Sequence, residues 1–284
     1  MPLHLANLQD WQFPEKTTIY TDKDTMLYAL SLGFGESPTD PAELPFVYED
    51  GLRAVPTMGA VLCHPGPWLT DPRTGATRSK VVHGEQRMRF HAPLPPQGQL
   101  TARSRVIGIQ DKGADKGALL HLQRELYGED GTLVITLRHS SFCRADGGCG
   151  SFGESLVLNA PPARAPDRSF ELKTLPQAAL IYRLNVDRNP LHADPAKARQ
   201  AGFDRPPLHG LCTYGMAARA ILKMWLDHDP ARLASLDTRF SASVFPGETL
   251  VFETWREGGG IAFRALAKER GVKVLDNGWA DIRG

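Results

Sequence analysis

From Leu208 to Leu226, apolar residues recur at spacings of three and four: Leu211, Tyr214, Ala218, Ile221, Leu222 and Trp225. That period predicts an α-helix. Met216, Ala217, Ala220 and Met224 fill much of the remaining circumference, so the helix is predicted to be enclosed on most sides. Four strand-like runs follow: LDTRFSASVF (236–245), TLVFETWR (249–256), IAFRALAKE (261–269) and VKVLDNGWADI (272–282). Turn signals separate them at Pro246-Gly247, Gly258-Gly259-Gly260 and Gly271. An enclosed helix followed by an antiparallel meander predicts a sheet curled around that helix.

The first half of the chain shows the same pattern. DKDTMLYALSLGFG (22–35) predicts a helix, with Asp22 or Asp24 near its cap and Gly33 or Gly35 at its end. Strands are predicted near 101–111, 118–128 and 132–144, with glycine-rich loops at 113–117 and 147–150 closing hairpins. HGEQ (83–86) is read as the structural opening of a strand, without a catalytic role for His83 or Glu85. The stretch 156–168, centred on APPARAPD (160–167), has no apolar period and reads as a linker. It divides the chain into units 1–155 and 169–284. Two helix-in-sheet units in tandem make an α+β protein.

Composition narrows the function classes. Over 284 residues the chain is 42% hydrophobic and 23% charged, with net charge +1. An ordinary globular balance follows, and no global field favours nucleic acid. Its five tryptophans are scattered without basic interleaving, so no base-stacking platform is expected. Four cysteines, Cys63, Cys143, Cys149 and Cys212, fit neither a zinc pattern nor a disulfide framework and are read as free thiols. No run reaches the ~18 apolar residues of a membrane span. The start MPLHLANLQDWQF lacks a charged region followed by an apolar core, so cytoplasmic location is the expectation.

Candidate chemistry concentrates in NVDRNPLHAD (185–194). Tyr182 to Val186 reads as a short extended run ending at Asp187. Pro190 fixes its own φ and pushes Asn189 away from helix, so Asp187 to His192 is a stiff loop. Asp194-Pro195 then looks like the cap and first residue of a short helix, 195–201. A carboxylate and an imidazole can act as acid and base, and the Asn189 amide can orient a water. Asp, Asn and Pro also dominate turns for backbone reasons, so this motif alone leaves a purely structural reading open. Gly210 falls at the start of the enclosed helix, where unpaired N–H groups and a close backbone approach suit an oxyanion. His209 is assigned no catalytic role. A metal held by His192, Asp194 and His209 fits no ligand spacing, so no metal is expected.

NVDRNPLH followed by LHGLCTYG resembles the signature of the MaoC-like, hydratase 2 type of (R)-specific enoyl-CoA hydratases. RFSASVFPGETL (239–250), VVHGEQRMRFHAPLP (81–95) and IQDKGADKGA (109–118) extend the likeness over most of the chain. The resemblance implies a double hot-dog fold, two units each with a long helix wrapped by an antiparallel sheet. It implies that only the second unit keeps the reacting residues, while the first helps house the acyl chain. Asp187 and His192 match the family's catalytic dyad, Asn189 its water-positioning amide and Gly210 its oxyanion-hole N–H. The chain departs from the family in placing Asn185-Val186 where Ser/Thr-Gly is common. That bears on substrate shape and leaves the acid–base pair intact.

The reaction implied is reversible addition of water to a trans-2-enoyl-CoA, with no cofactor beyond the coenzyme A of the substrate. Lys112, Lys116, Arg144 and Arg205 are loop cations that could meet the coenzyme's phosphates. The rival readings are a hot-dog acyl-CoA thioesterase and a non-enzymatic acyl-CoA-binding tandem protein. Hot-dog sheets commonly extend across a partner, so a homodimer is expected.

Overall fold

Strand pairing carries both halves of the chain into a single sheet. The computed structural model describes residues 3–185 and 187–284. Among these, the strands are β1 (Lys16–Tyr20), β2 (Val81–Phe90), β3 (Gly98–Asp111), β4 (Ala118–Tyr127), β5 (Leu133–Cys143), β6 (Phe152–Gly153), β7 (Arg168–Lys173), β8 (Ser235–Phe240), β9 (Thr249–Glu257), β10 (Gly260–Ala267) and β11 (Val272–Asp281). Their order is β1-β3-β4-β5-β2-β8-β11-β10-β9-β7, with β6 added beside β3. The pairings are antiparallel, as short hairpins and a meander demand. The halves join where β2 pairs with β8, from Glu85 opposite Arg239 to Arg89 opposite Ser235.

The α-helices are α1 (Leu5–Gln9), α2 (Asp22–Ser31), α3 (Ala178–Tyr182), α4 (Pro195–Gln200) and α5 (Gly210–Trp225). α5 is the predicted enclosed helix: every residue from Cys212 to Leu222 is buried. α2 is shorter; its cap is Thr21, and Asp22 and Asp24 lie beside it in the first turn, near the cap as expected. The Thr21 hydroxyl accepts the Asp24 amide while the Asp24 carboxylate accepts the Thr21 amide, a reciprocal box. Gly33 and Gly35 follow with positive φ, which ends the helix as expected.

The two helices cross at Gly215, where a Cβ would come within 2.5 Å of Leu32 and 3.0 Å of the Tyr28 hydroxyl. Any larger residue there would have to displace the Leu32 methyls. One large apolar cluster therefore runs from α2 through α5 to both halves of the sheet. A second, smaller one lies at the far end of β3, β4 and β5 under α1. This is the double hot-dog arrangement. Arg219 of α5 and Glu43, both almost fully buried, meet at 2.9 Å and tie α5 to the segment after α2.

Between Gly153 and Arg168 no strand or helix forms among the described residues, where the linker was expected. It is packed rather than loose. The Trp255 indole N–H donates to the carbonyls of Arg164 and Ala165 at 3.0 Å, and Arg164 pairs with Asp167 and Glu257. Gly258-Gly259 is the turn between β9 and β10, as its glycines suggested.

Candidate active site

The segment leading into Asp187 is helical, not extended. α3 ends at Tyr182 and a 3-10 turn, Arg183–Asn185, continues it. Tyr182, Arg183, Leu184 and Asn185 alternate apolar and polar, which over so short a run imitates a strand and is why the sequence misled here. The expected extended run also included Val186, which lies outside the described residues. Asn185 anchors the turn: its side-chain amide donates to Ser31 Oγ and to the Tyr182 carbonyl, both at 3.1 Å.

After it, Asp187 Oδ1 accepts the Asn189 amide at 3.1 Å and Asn189 Oδ1 accepts the Leu191 amide at 3.1 Å. Both side chains thus cap the turn that Pro190 begins, a 3-10 turn over Pro190–His192. Asp194 caps α4 through the Ala196 amide, as its Asp-Pro sequence predicted. Its carboxylate therefore serves the backbone.

His192 is half-buried. Its Nδ1 donates to the Pro207 carbonyl at 2.8 Å, which leaves the lone pair on Nε2. Burial lowers its pKa below the usual 6.5, opposed by that hydrogen bond and by the Asp187 charge. Its ring stacks on His209 at 3.7 Å with planes 25° apart. His209, 2% exposed, donates from Nε2 to the Asp187 carbonyl at 3.1 Å, and burial pushes its pKa down to about 4. Asp187, His192 and His209 each offer one ligand atom within 4.8 Å of the others. His209 was missed as a site residue; its only sequence signal was its place before Gly210.

A metal does not fit this triad. Imidazole lone pairs lie in the ring planes, and an ion must sit about 2.0–2.1 Å from each nitrogen. Two stacked rings cannot point at one such ion. A water, bound at hydrogen-bond distance, has no such constraint.

The same segment that holds His192 begins α5. Leu208 pairs with Val244 at 2.7 Å, His209 is the cap residue and Gly210 is the first helical residue. Cys212 and Thr213 amides bond back to the His209 carbonyl. The Gly210 and Leu211 amides have no acceptor among the described residues. A Cβ on Gly210 would lie 3.2 Å from the Phe240 ring.

The first half of the chain also reaches the site. The Asp187 carboxylate is near enough to pull the pKa of His64 and His83 upward, against the larger effect of burial. His83 lies 4.5 Å from Phe240 and 3.9 Å from His139, ring to ring. The structural reading of HGEQ thus divides. Glu85 pairs with Arg87 at 2.9 Å and accepts the Ser140 hydroxyl at 3.2 Å, while His83 faces the site.

The four loop cations separate. Lys112, Lys116 and Arg144 are exposed around the 113–117 and 147–150 loops of the first half. Arg205 lies on the 203–209 segment, two residues before Pro207. Its guanidinium covers the Phe245 ring at 5.1 Å and lines a cavity of about 450 Å³ shared with Arg270 and Glu248.

Residues 19–145 match the family described as the MFE-2 hydratase 2 N-terminal domain, and residues 157–278 match that described as MaoC like domain. An enoyl-CoA hydratase of Mycobacterium tuberculosis, ChsH3, is 38% identical over 98% of both chains. The chain belongs to the MaoC-like, hydratase 2 family. A peroxisomal enoyl-CoA hydratase 2 of Arabidopsis thaliana is likewise 38% identical, over 96% of this chain and 93% of its own. Among solved structures, a MaoC-like dehydratase from Phytophthora capsici superposes with a TM-score of 0.88 at 34% identity, covering 99% of each chain. Such coverage places the double hot-dog and both family segments in one continuous likeness to hydratase 2 proteins.

Proposed function

We propose that this chain reversibly hydrates trans-2-enoyl-CoA to (R)-3-hydroxyacyl-CoA. The observation that carries the reading is that the Asp187 carboxylate and a His192 ring nitrogen lie within 4.8 Å of each other, next to the segment that begins α5. Water supplies both new groups. Its oxygen bonds to C3, the C2–C3 π pair moves onto C2, and the proton taken from the water passes through the dyad to C2. The dyad ends as it began. One shared water delivers both groups from one side. Asn189 keeps its Oδ1 in the turn, so its Nδ2 hydrogens are the ones free to hold that water. Charge built up on the thioester oxygen meets the Gly210 N–H and the positive end of α5, a contribution of about 3 kcal/mol.

The relatives named enoyl-CoA hydratase support this activity over hydrolysis. No step requires a metal or redox cofactor, so dialysis against a chelator is expected to leave the rate unchanged. The coenzyme's phosphates are assigned to Lys112, Lys116, Arg144 and Arg205; reversing the charge of each in turn should raise KM for the CoA ester. We assign the chain to the cytoplasm, although the Arabidopsis relative is named peroxisomal; cell fractionation decides it. A homodimer is supported by Leu180 and Leu184, 54% and 55% exposed one turn apart beside the site loop, and light scattering measures it.

The test is loss of the conjugated-enoyl absorbance of crotonyl-CoA, with chiral analysis of the product. Release of free thiol instead would make the protein a thioesterase. Binding without absorbance change would make it a carrier.

A further inference from the structure

The inner face of the first unit's sheet is apolar at both ends and polar between. At one end Phe90, Ile135 and Leu126 pair in a row with Met88 and Leu137 beside them, all in the large cluster. At the other end Leu120, Ala118 and Cys143 belong to the small one. Between these runs a row paired strand to strand: Leu122, His139, Gln86 and Thr238. His83 flanks it on one side, opposite Ser141, and Arg124 on the other, opposite Leu137. Burying such groups costs free energy unless something pairs with them.

Arg124 is the member least provided for. It is 7% exposed. Its Nη2 donates to the Ala60 carbonyl at 2.8 Å, and Nη1 is buried with no partner among the described residues. Two other buried arginines have carboxylates: Arg219 has Glu43 and Arg87 has Glu85. Arg124 has none among the described residues. An uncompensated buried charge is strongly destabilising, and a planar guanidinium is shaped to take a carboxylate.

The band is continuous with the site. Gly210 abuts Phe240, Phe240 contacts His83, and His83 lies against His139 with the rings tilted 43°. The Arg124 charge acts on His139 and on His64, and His64 in turn senses Asp187. A thioester held at Gly210 would therefore extend its acyl group over Phe240 and the imidazoles toward Arg124.

We propose that this band seats the acyl group and that Arg124 pairs with a carboxylate carried on it, so that the substrates are enoyl thioesters of dicarboxylic acids. The inference rests on the thioester reading above and narrows its substrate class. Arg124 is a specificity residue, remote from the reacting atoms.

The experiment compares trans-2-enoyl-CoA esters of graded length bearing a terminal carboxylate with their methyl esters. In the parent protein the ratio of kcat/KM, acid over ester, should reach at least ~10 at the length that spans to Arg124. In Arg124→Met the ratio should fall to near one. A parent ratio near one at every length, or an Arg124→Met variant that loses both substrates in proportion, overturns the proposal. Should the variant fail to fold, the parent ratio alone decides. Crotonyl-CoA, too short to reach the band, separates the two readings: if the parent hydrates it while showing no acid preference, only the carboxylate inference falls.

Discussion

The Pro207 carbonyl holds the Nδ1 hydrogen of His192 at 2.8 Å, and three residues later the same segment starts α5 at Gly210. One stretch of backbone thus fixes the imidazole tautomer and sets the helix terminus beside it. The His192 ring and the Gly210 N–H cannot drift apart without breaking that segment. His209 reinforces it by bonding to the Asp187 carbonyl and stacking on His192.

Removing either member of the dyad should cost turnover and leave the fold. His192→Ala and Asp187→Asn are each expected to lower kcat for crotonyl-CoA by at least ~100-fold, with an unchanged circular dichroism spectrum. Parent-like rates in both variants would remove the assignment.

Burial holds His192 below its usual 6.5, so Nε2 keeps its lone pair through neutral pH. Protonation consumes that lone pair as pH falls. The acid limb of kcat/KM should therefore lie below pH 6.5. A limb at higher pH would mean that the imidazolium, not the imidazole, is the working form.

Gly210→Ala should separate stability from activity. Gly210 is the first residue of α5, where the interior advantage of alanine over glycine is only partly felt, so the melting temperature should change little. The new methyl, 3.2 Å from Phe240, pushes that ring. We expect kcat to drop about tenfold, measured beside a thermal melt.

Acid should destabilise the protein well before its carboxylates titrate. Burial holds His121 and His209 down to about 4, from 6.5 when unfolded. Between those values the unfolded chain binds protons that the folded chain does not. Each histidine then costs about 1.4 kcal/mol per pH unit of acidification. Urea midpoints should fall steadily from pH 6.5 toward 4 and stay flat from 7 to 8.

Arg219→Met leaves Glu43 buried without its main cation, with Lys223 at 3.7 Å as the remaining one. The expected loss is about 3–5 kcal/mol in denaturant unfolding. Adding Glu43→Gln should recover part of it, and an additive double variant would show the pair uncoupled.

The long helix and the last three strands of the second unit were legible in the sequence because one period or one pair of turns decided each. α5 carries a three-four stripe, and β9, β10 and β11 lie between glycine turns within a residue or two of where they were read. Thr21 was overlooked because two aspartates stood nearby, yet the hydroxyl completes the reciprocal box. β1 and β7 are short, charged and at the sheet edges, where no alternation announces them. The Tyr182–Val186 run misled because its apolar and polar residues alternate, Tyr-Arg-Leu-Asn-Val, which is the two-residue period of a strand. Asp187 and His192 could be found locally, since the turn that carries them is written in consecutive residues. His83, His139 and Arg124 could not. They sit on strands whose register, set across the whole sheet, decides which face they take.

The pairing of β2 with β8 has a practical corollary. Neither half possesses a finished edge at that seam, so a cut through residues 154–167 would bare two complementary strands rather than release two self-sufficient modules. Fragments expressed apart should be sticky and inert, and mixing them should restore a working whole only by reknitting that one ladder.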